Sequence, residues 1–147
     1  MDMKIKTIGI VKNSVKEPKD DNLAKVVSEI IINKKYEQAL DQVDGFSHII
    51  VIYWMNRVTS AKRLKLKVHP KRRKDLPLVG VFATRSPARP NPIGLTTARV
   101  LERSGNVLKV TGLDAIDGTP VLDIKPYIPG YDSPTRAKTP AWMKNLR

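Results

Sequence analysis

The segment Phe46–Met55 reads FSHIIVIYWM and decides the fold of this chain. Its apolar residues follow one another without alternation, so a strand formed there would be apolar on both faces. Such a run predicts a central, buried β-strand rather than a half-exposed one. We interpret the polar residue His48 as a hydrogen-bonded core histidine in preference to a catalytic one. The apolar run is far too short to cross a membrane as a helix.

Strand patterns also occur on both sides of this segment, as short stretches rich in β-branched residues and bounded by turn-forming residues. Helical spacing is found at Tyr36–Val43, where apolar residues recur at i, i+3, i+4 and i+7 and predict a short helix. The polar stretch Lys12–Asn22 is expected to be a loop, and Ser104-Gly105 a hairpin turn. Strands are expected at Lys4–Val11, Val26–Asn33, Leu78–Thr84, Leu95–Glu102, Asn106–Leu113 and Val121–Lys125.

Many short strands with few short helices predict a mainly β fold, a small barrel-like sheet. The helix–strand alternation of a Rossmann fold is missing. Because the eight glycines are never closer than six residues apart, the chain has neither a GxGxxG motif nor a P-loop. The 147 residues are expected to form one domain, residues 1–147, with a basic tail at 133–147 that is either docked or partly disordered.

The composition points to a polyanionic partner. The chain has 27 Lys and Arg against 14 Asp and Glu, a net charge of +13, which favours nucleic acid as the partner. The alternative is a charged surface that serves only solubility or thermostability. Cysteine is absent and there are two histidines, so we expect no disulfide and no metal site. Without a secretory signal in MDMKIK, the protein is expected to be cytoplasmic, with no membrane partner.

The segment Lys62–Lys74, KRLKLKVHPKRRK, has eight basic residues among thirteen and is called the basic segment below. So dense a cluster is best tolerated where phosphates neutralise it, and it predicts contacts to the backbone of a nucleic acid rather than to its bases. The alternative is a solvated loop or a lysine-blunted edge strand. We expect His69 to join the phosphate patch. The candidate nucleic-acid contacts, which become RNA contacts under the resemblance described below, are Lys62, Arg63, Lys65, Lys67, Lys71, Arg72, Arg73 and Lys74.

The segment Val81–Leu95, VFATRSPARPNPIGL, is called the proline loop. Its three prolines fix φ and keep the preceding residues out of the helical region, so the loop should be stiff and extended. Arg85 and Arg89 are therefore placed in advance for a flat anion, and the Asn91 amide can pair with an adenine-like edge or a carboxylate. Gly94 allows close approach of the backbone. The alternative is a rigid structural turn.

The segment Leu113–Tyr127, LDAIDGTPVLDIKPY, concentrates carboxylates in a basic protein. Asp117-Gly118 is a turn signal, so the segment is at least a β-turn. Asp114, Asp117 and Asp123 are in addition suited to hold a cation or a ribose. Lys125 and Tyr127 are expected to face the same side as Asp123. Of the two tryptophans, Trp54 is expected in the core, and Trp142 on the tail could stack on a base.

Three long strings, FSHIIVIYW, VFATRSPARPNPIGLT and LDAIDGTPVLDIKPYIP, resemble the TsaA-like family, whose bacterial members are the TrmO (YaeB-like) tRNA methyltransferases. The resemblance extends from Thr7 to Asp132. It implies a small β-barrel-type fold, a homodimer, and S-adenosylmethionine bound without a Rossmann domain. It also implies methyl transfer to N6 of a tRNA adenosine beside the anticodon that already carries a threonylcarbamoyl group.

The resemblance also implies roles for individual residues. Cofactor positions fall on Asn56, Arg57, Arg85, Leu95, Asp114, Ala115, Ile116 and Asp117. Bacterial members have His-Gln at Asn56-Arg57 and a loop containing Pro and Gly at the charged stretch Lys16–Asn22, so the chain departs from their pattern there.

The reaction implied by the resemblance assigns further roles. A carboxylate such as Asp117 would hold the sulfonium, and Arg85 and Arg89 would bind carboxylates of cofactor or substrate, Arg89 being grouped with the RNA contacts. The candidate catalytic residues are Asn91, Asp123 and Tyr127, the last two as acceptors of the departing proton. The alternative function is a basic RNA-binding module without catalysis.

Overall fold

The computed structural model describes residues 1–17 and 23–146 and divides the chain into two compact units. The barrel unit comprises Met1–Asn56 and Ile93–Tyr127, and the second unit comprises Arg57–Pro92 and Ile128–Arg147. The single domain expected over residues 1–147 stays a prediction. In the described part of the chain, no helix has the length and apolarity that crossing a membrane would require.

The described residues form eight strands. They are β1 (Gly9–Lys12), β2 (Val27–Ile32), β3 (His48–Trp54), β4 (Lys67–Val68), β5 (Val79–Gly80), β6 (Ile93–Ser104), β7 (Val107–Thr111) and β8 (Pro120–Pro126). In the barrel unit, six of them close into an antiparallel barrel in the order β1-β2-β7-β6-β3-β8, and in the second unit β4 pairs with β5. The prediction of a mainly β, barrel-like fold is confirmed.

Strand β3 is central, as predicted, because it pairs with β6 on one side and β8 on the other. Its inner residues Ile49, Val51 and Tyr53 are buried in the barrel core. The prediction that both faces are buried is wrong, since the alternate residues, including His48 and Trp54, are only half-buried. Neither of these two is a core residue, because a barrel encloses one face of each strand and leaves the other outside.

The remaining barrel strands follow the predicted pattern closely. β2 and β8 lie within a residue of their predicted bounds, and β6 and β7 form the expected hairpin, with Gly105 at a φ of 58° in its turn. The first strand was expected from Lys4 but begins at Gly9. Its partner β2 ends at Ile32, which pairs with Gly9. The residues before Gly9 therefore have no residues of β2 left to pair with.

Helical structure is short throughout the described residues. One α-helix, α1, spans Ser60–Arg63 in the second unit. The helix expected at Tyr36–Val43 is instead a 3₁₀ helix at Lys34–Leu40 followed by another at Val43–Gly45. In the expected loop Lys12–Asn22, Lys12 ends β1, residues 13–17 are irregular, and residues 18–22 lie outside the described residues. Further 3₁₀ helices span Leu23–Lys25, Val81–Ala83 and Ala141–Asn145, and Pro70–Arg72 forms a tight turn with non-helical backbone angles.

The second unit is built around the short ladder of β4 and β5. The strand expected at Leu78–Thr84 is reduced to Val79–Gly80, because β4 offers two residues for pairing, and the chain then turns into the 3₁₀ helix Val81–Ala83. Leu76 and Val81 are buried in this unit. Of the tail 133–147, the structure shows mainly irregular backbone ending in the helix Ala141–Asn145, while Arg147 lies outside the described residues.

Candidate functional site

Residues 114–117 of the barrel unit, called the acidic turn, are fixed by hydrogen bonds to three successive backbone carbonyls. The Tyr53 hydroxyl donates to the Asp114 carbonyl at 2.7 Å, and Asn13 Nδ2 donates to the Ala115 carbonyl at 2.8 Å. The Thr119 hydroxyl donates to the Ile116 carbonyl at 2.7 Å. A turn held at each of these carbonyls is ordered before any ligand binds.

Asn13 joins the acidic turn to the strands around it. Its side chain also donates to the Ser28 hydroxyl at 3.0 Å and accepts from the backbone of Val15 at 3.0 Å. Its backbone N–H donates to Asp117 Oδ1 at 3.0 Å. Neither Asn13 nor Tyr53 was singled out from the sequence. A signal was present for Tyr53, because a hydroxyl on an apolar strand needs a partner when it is buried.

The Asp117 carboxylate is engaged within the fold. Lys16 Nζ lies 2.6 Å from Asp117 Oδ2, and this hydrogen bond, followed by that from the Asn13 N–H, lowers the pKa of Asp117 below its ordinary value. Asp114 is exposed, whereas Asp117 is half-buried. The two aspartates of the acidic turn therefore differ in exposure, and the hydrogen bonds of Asp117 fix the turn.

On the outer face of the barrel, the predicted site residues Leu95 and Asp123 lie in one row across β6, β3 and β8, with Ile52 between them. Leu95 pairs with Ile52, which pairs with Asp123. The register of β8 shifts between Ile52 and Tyr53, so β8 carries a bulge beside Asp123. Bulges re-aim side chains and are common next to functional sites. Leu95 is 48% exposed, so its apolar side chain is open to a ligand or partner.

The predicted proton acceptors lie along and beyond β8. Asp123 Oδ2 is 3.0 Å from Lys125 Nζ, as the predicted shared face requires, and Asp123 Oδ1 accepts from the N–H of Ile124 at 2.9 Å. Tyr127 follows the strand, donates its N–H to the His48 carbonyl at 3.1 Å, and packs edge-on against the His48 ring at 6.4 Å. His48 Nδ1 is itself 2.8 Å from the Ser47 hydroxyl.

The other residues that the resemblance placed at the cofactor are divided between the two units. Asn56 follows β3 at the end of the barrel unit and is exposed. Arg57 and Arg85 belong to the second unit and are also exposed. Asn91, the third catalytic candidate, is an exposed residue of the second unit. Their shared role in one site stays a prediction.

The part of the proline loop that lies in the second unit is held by its own side chains. Arg89 Nη1 donates to the carbonyls of Thr84 at 3.1 Å and Ser86 at 3.0 Å. The Thr84 hydroxyl donates to the Val81 carbonyl at 2.7 Å and accepts from the Ser86 N–H at 3.1 Å. These hydrogen bonds restrain the loop in addition to its prolines, and its stiffness stays a prediction. Part of the Arg89 guanidinium stabilises the loop itself, whereas Arg85 extends into solvent.

The basic segment contains a tight turn with unusual backbone angles. Lys71 and Arg72 have φ values of 51° and 59°, a left-handed conformation that costs a residue with a side chain about 1–2 kcal/mol. The turn is closed by the Arg73 N–H, which donates to the Pro70 carbonyl at 3.0 Å. Strain of this kind is often kept where it directs side chains to a ligand.

Several side chains of the basic segment have partners inside the second unit. Arg63 Nε donates to the Pro90 carbonyl at 2.8 Å, and Lys71 Nζ donates to the Leu146 carbonyl at 2.9 Å. Arg73 pairs with Asp75, which raises the pKa of Arg73 and lowers that of Asp75. His69 Nδ1 lies 2.9 Å from the Leu76 carbonyl. The remaining candidate RNA contacts are exposed: Lys62, Lys65, Lys67, Arg72 and Lys74.

The net charge is divided unequally between the two units. The sequence ranges of the barrel unit contain 12 Lys and Arg and 12 Asp and Glu, a net charge of zero. Those of the second unit contain 15 Lys and Arg and 2 Asp and Glu, which gives the whole net charge of +13. A polyanion would therefore be attracted to the second unit. The described residues contain no group of His, Asp or Glu that could hold a metal ion.

Comparison with known proteins gives one consistent family. Residues 9–133 match the family model described as tRNA-methyltransferase O N-terminal domain. Two proteins of Archaeoglobus fulgidus are 43% and 46% identical to the chain, over 92% and 88% of its length. They are named probable S-adenosyl-L-methionine-binding protein and S-adenosyl-L-methionine-binding protein. The human protein named tRNA (adenine(37)-N6)-methyltransferase is 42% identical over 76% of the chain.

The crystal structure of TrmO from Pseudomonas aeruginosa superposes with a TM-score of 0.76 and 27% identity, covering 96% of this chain. The chain spans 63% of that structure, 25% of the human protein, and 37% and 93% of the two Archaeoglobus relatives. The matched region is thus nearly a whole protein in one relative and a minor part of a longer protein in others.

Proposed function

The chain belongs to the tRNA-methyltransferase O N-terminal domain family, and from this premise we propose that it is an S-adenosylmethionine-dependent tRNA (adenine-N6) methyltransferase. The structural observation that carries the proposal is the acidic turn, whose carbonyls are fixed by Tyr53, Asn13 and Thr119. The names of the Archaeoglobus and human relatives support the cofactor and the reaction.

The residues of the acidic turn fit this cofactor. S-adenosylmethionine carries a positive charge, ribose hydroxyls and an apolar adenine face. Asp114 offers a carboxylate on an exposed residue, and Leu95 offers an exposed apolar side chain. In the barrel unit, Asn56, Leu95 and residues 114–117 would hold the cofactor, and in the second unit Arg57 and Arg85 would bind carboxylates. When bound, S-adenosylmethionine supplies an electrophilic methyl group.

The protein's own contribution to the reaction is positioning and proton removal. The exocyclic amine of adenine is a weak nucleophile because its lone pair is delocalised into the ring, so its alignment governs the rate. Asp123 Oδ2 accepts the departing proton, or the Tyr127 hydroxyl accepts it while passing its own phenolic proton to solvent. Asp123 is oriented in advance by Lys125 and by the Ile124 N–H. The amide of Asn91 is suited to the hydrogen-bonding edge of the adenine.

The finer substrate that we propose is the adenosine beside the anticodon after it has received a threonylcarbamoyl group. Its carboxylate would suit a guanidinium such as that of Arg85. Transcribed tRNA without modifications provides the test, because it lacks the threonylcarbamoyl group. We expect methylation of native tRNA and none of the transcript, and equal methylation of both would contradict the finer substrate.

We also propose that the protein is a cytoplasmic homodimer. The outer face of β6 supports the dimer, because its apolar residues Ile93, Leu95 and Leu101 are 39%, 48% and 46% exposed. Single exposed apolar residues are common, but three on one strand favour an interface. Sedimentation velocity should show a dimer at micromolar concentration, and a monomer throughout would contradict this proposal.

The main test combines two measurements. Calorimetry should detect binding of S-adenosylmethionine to the purified chain, and mass spectrometry of tRNA nucleosides should detect transfer of an isotopically labelled methyl group to adenosine. Asp123→Asn should reduce the transfer rate about 100-fold or more if Asp123 is the proton acceptor. Asp41→Asn is the control, since this 73% exposed carboxylate pairs with Arg103 outside the proposed site.

One observation favours the alternative of a basic RNA-binding module without catalysis. The Asp117 carboxylate is already engaged by Lys16 and Asn13, as a purely structural turn would require. The two functions differ in cofactor binding. A folded protein that binds tRNA but shows no heat of binding at millimolar S-adenosylmethionine would establish the alternative.

A further inference from the structure

Phe82 is an aromatic residue that the fold leaves in solvent. It lies in the 3₁₀ helix Val81–Ala83 at the start of the proline loop and is 81% exposed, whereas its neighbour Val81 is buried at 3%. The Arg89 guanidinium carbon lies 5.9 Å from the centroid of the Phe82 ring, within the range of a cation–π contact. Because so much of the ring is exposed, Arg89 covers little of it.

The backbone under the ring is held by hydrogen bonds. Val81 is anchored by burial and by its N–H, which donates to the Leu66 carbonyl at 2.9 Å. The Thr84 N–H donates back to the Val81 carbonyl at 3.1 Å, and this bond closes the turn that carries Phe82. Arg89 is itself held by the carbonyls of Thr84 and Ser86. The backbone that carries the ring, and the Arg89 guanidinium beside it, are therefore both held by the proline loop.

The same unit carries the positive charge. The bond from Val81 to Leu66 ties the Phe82 turn directly to the basic segment, and Arg63 of the basic segment donates to Pro90 of the proline loop. An aromatic ring next to cationic side chains is the combination by which proteins hold single-stranded nucleic acid: the cations contact phosphates and the ring stacks on a base. RNA loops offer such bases because their bases can unstack.

We propose that Phe82, backed by Arg89, is a stacking platform for an unpaired nucleobase of the RNA substrate. The choice of RNA as the ligand rests on the proposed function. Phe82 would contact a base, whereas the basic segment would contact phosphates. The charge of the second unit favours a nucleic acid over an apolar protein partner, since 15 Lys and Arg there face 2 Asp and Glu.

Binding of a fluorescently labelled single-stranded RNA with the sequence of an anticodon loop tests the platform, measured by anisotropy without cofactor. Phe82→Ala should weaken binding roughly 5- to 150-fold, the range for loss of one stacked base. Phe82→Leu should weaken binding to a similar degree, because it keeps apolar volume but lacks a π face. Phe82→Trp should bind at least as tightly as the wild type. Tyr131→Ala is the matched control, because Tyr131 is also an aromatic residue of the second unit and is equally exposed at 81%.

Each outcome decides the inference. Equal RNA affinity of the wild type and Phe82→Ala overturns it, as does a wild-type affinity for Phe82→Leu, which would indicate a simple apolar contact. A change of sedimentation coefficient in Phe82→Ala without RNA also overturns it and assigns Phe82 to a protein interface. If RNA binding depends on Phe82 while the wild type transfers no methyl group, the platform stands and the proposed catalytic function fails. If the wild type transfers a methyl group and Phe82→Ala binds RNA as tightly as the wild type, the catalytic function stands and the stacking platform fails.

Discussion

Tyr53 connects the barrel core to the candidate site through a single hydroxyl. Its ring is buried among the inner residues of β3, and its hydroxyl lies 2.9 Å from the Thr96 hydroxyl and donates to Asp114 at 2.7 Å. The ring fits because Gly94, opposite it on β6, has no side chain. A Cβ at Gly94 would overlap the Tyr53 ring. The glycine is therefore a packing requirement of the residue that positions the acidic turn.

Substitution of this glycine should disturb both the fold and the site. We expect Gly94→Ala to lower the free energy of unfolding by about 3 kcal/mol, at the upper end of overpacking, because the displaced ring is buried. Urea denaturation measures the change. Gly80→Ala is the control, since a Cβ there meets no atom nearer than the Leu66 carbonyl at 4.0 Å. A loss of similar size in both variants would contradict the packing explanation.

The pH dependence of stability should report the engagement of Asp117. Its hydrogen bonds to Lys16 and Asn13 lower its pKa in the folded state below the ordinary value of 3.8. The unfolded chain therefore binds the proton more readily, so the stabilisation is complete above the unfolded pKa and is lost as the pH falls through the folded one. The stability difference between wild type and Asp117→Asn should be constant near neutral pH and shrink below about pH 4. A difference that grows on acidification would contradict this assignment.

Among the elements, the left-handed turn at Lys71 and Arg72 should affect stability and RNA binding in opposite directions when it is substituted. Glycine adopts positive φ without strain, so Arg72→Gly should stabilise the protein by about 1 kcal/mol. Removal of the exposed guanidinium should at the same time weaken tRNA binding. Arg72→Ala removes the same charge but keeps the strain, and so should weaken binding without the gain in stability. Thermal unfolding and binding titrations check both effects, and a loss of stability in Arg72→Gly would contradict the strain.

The elements also show where a single sequence informs about structure. The barrel strands β2, β6, β7 and β8 were predicted because each has its own alternation and turn signal. The predicted strand Leu78–Thr84 was too long, because the length of a strand depends on its partner and the partner β4 has only two residues. The prediction that the outer face of β3 is buried was wrong, because a run of apolar residues does not distinguish the exterior of a barrel from a buried sheet.

The acidic turn, the proline loop and the basic segment were singled out from composition and motif, because their charges and prolines are local properties of the sequence. Their role in one functional site stays a prediction. Asn13, Tyr53 and Phe82 were missed as site residues. Asn13 acts across 102 residues of sequence on the Ala115 carbonyl, and such a pairing is fixed by the closure of the barrel rather than by any local pattern. The exposure of Phe82 likewise depends on the turn that replaced the predicted strand.

For the whole molecule, the distribution of charge matters more than its sum. If the second unit binds tRNA, Lys→Gln substitutions at Lys62, Lys65, Lys67 and Lys74 should reduce the slope of log affinity against log salt by up to about 3, near 0.7 to 0.9 per phosphate contact. The same change at Lys4, Lys6, Lys34 and Lys35 of the barrel unit removes equal charge and should leave the slope almost unchanged. Equal effects of the two quadruple variants would show that net charge alone drives binding.

The bonds around the acidic turn also set the rate at which its backbone amides exchange with solvent deuterium. The N–H of Asp117 donates to Val15 and that of Gly118 donates to Val11, a buried residue of β1. The Gly118 amide, bonded to strand β1, would be released only when the barrel opens, so it should exchange as slowly as the amides at the centre of β3. The Asp117 amide is bonded to Val15 in the irregular stretch after β1 and should exchange faster. Most ligand-binding turns belong to the least protected parts of a protein. Here the end of the turn, at Gly118, would share the opening free energy of the barrel, so the turn would keep one shape whether or not a ligand is bound.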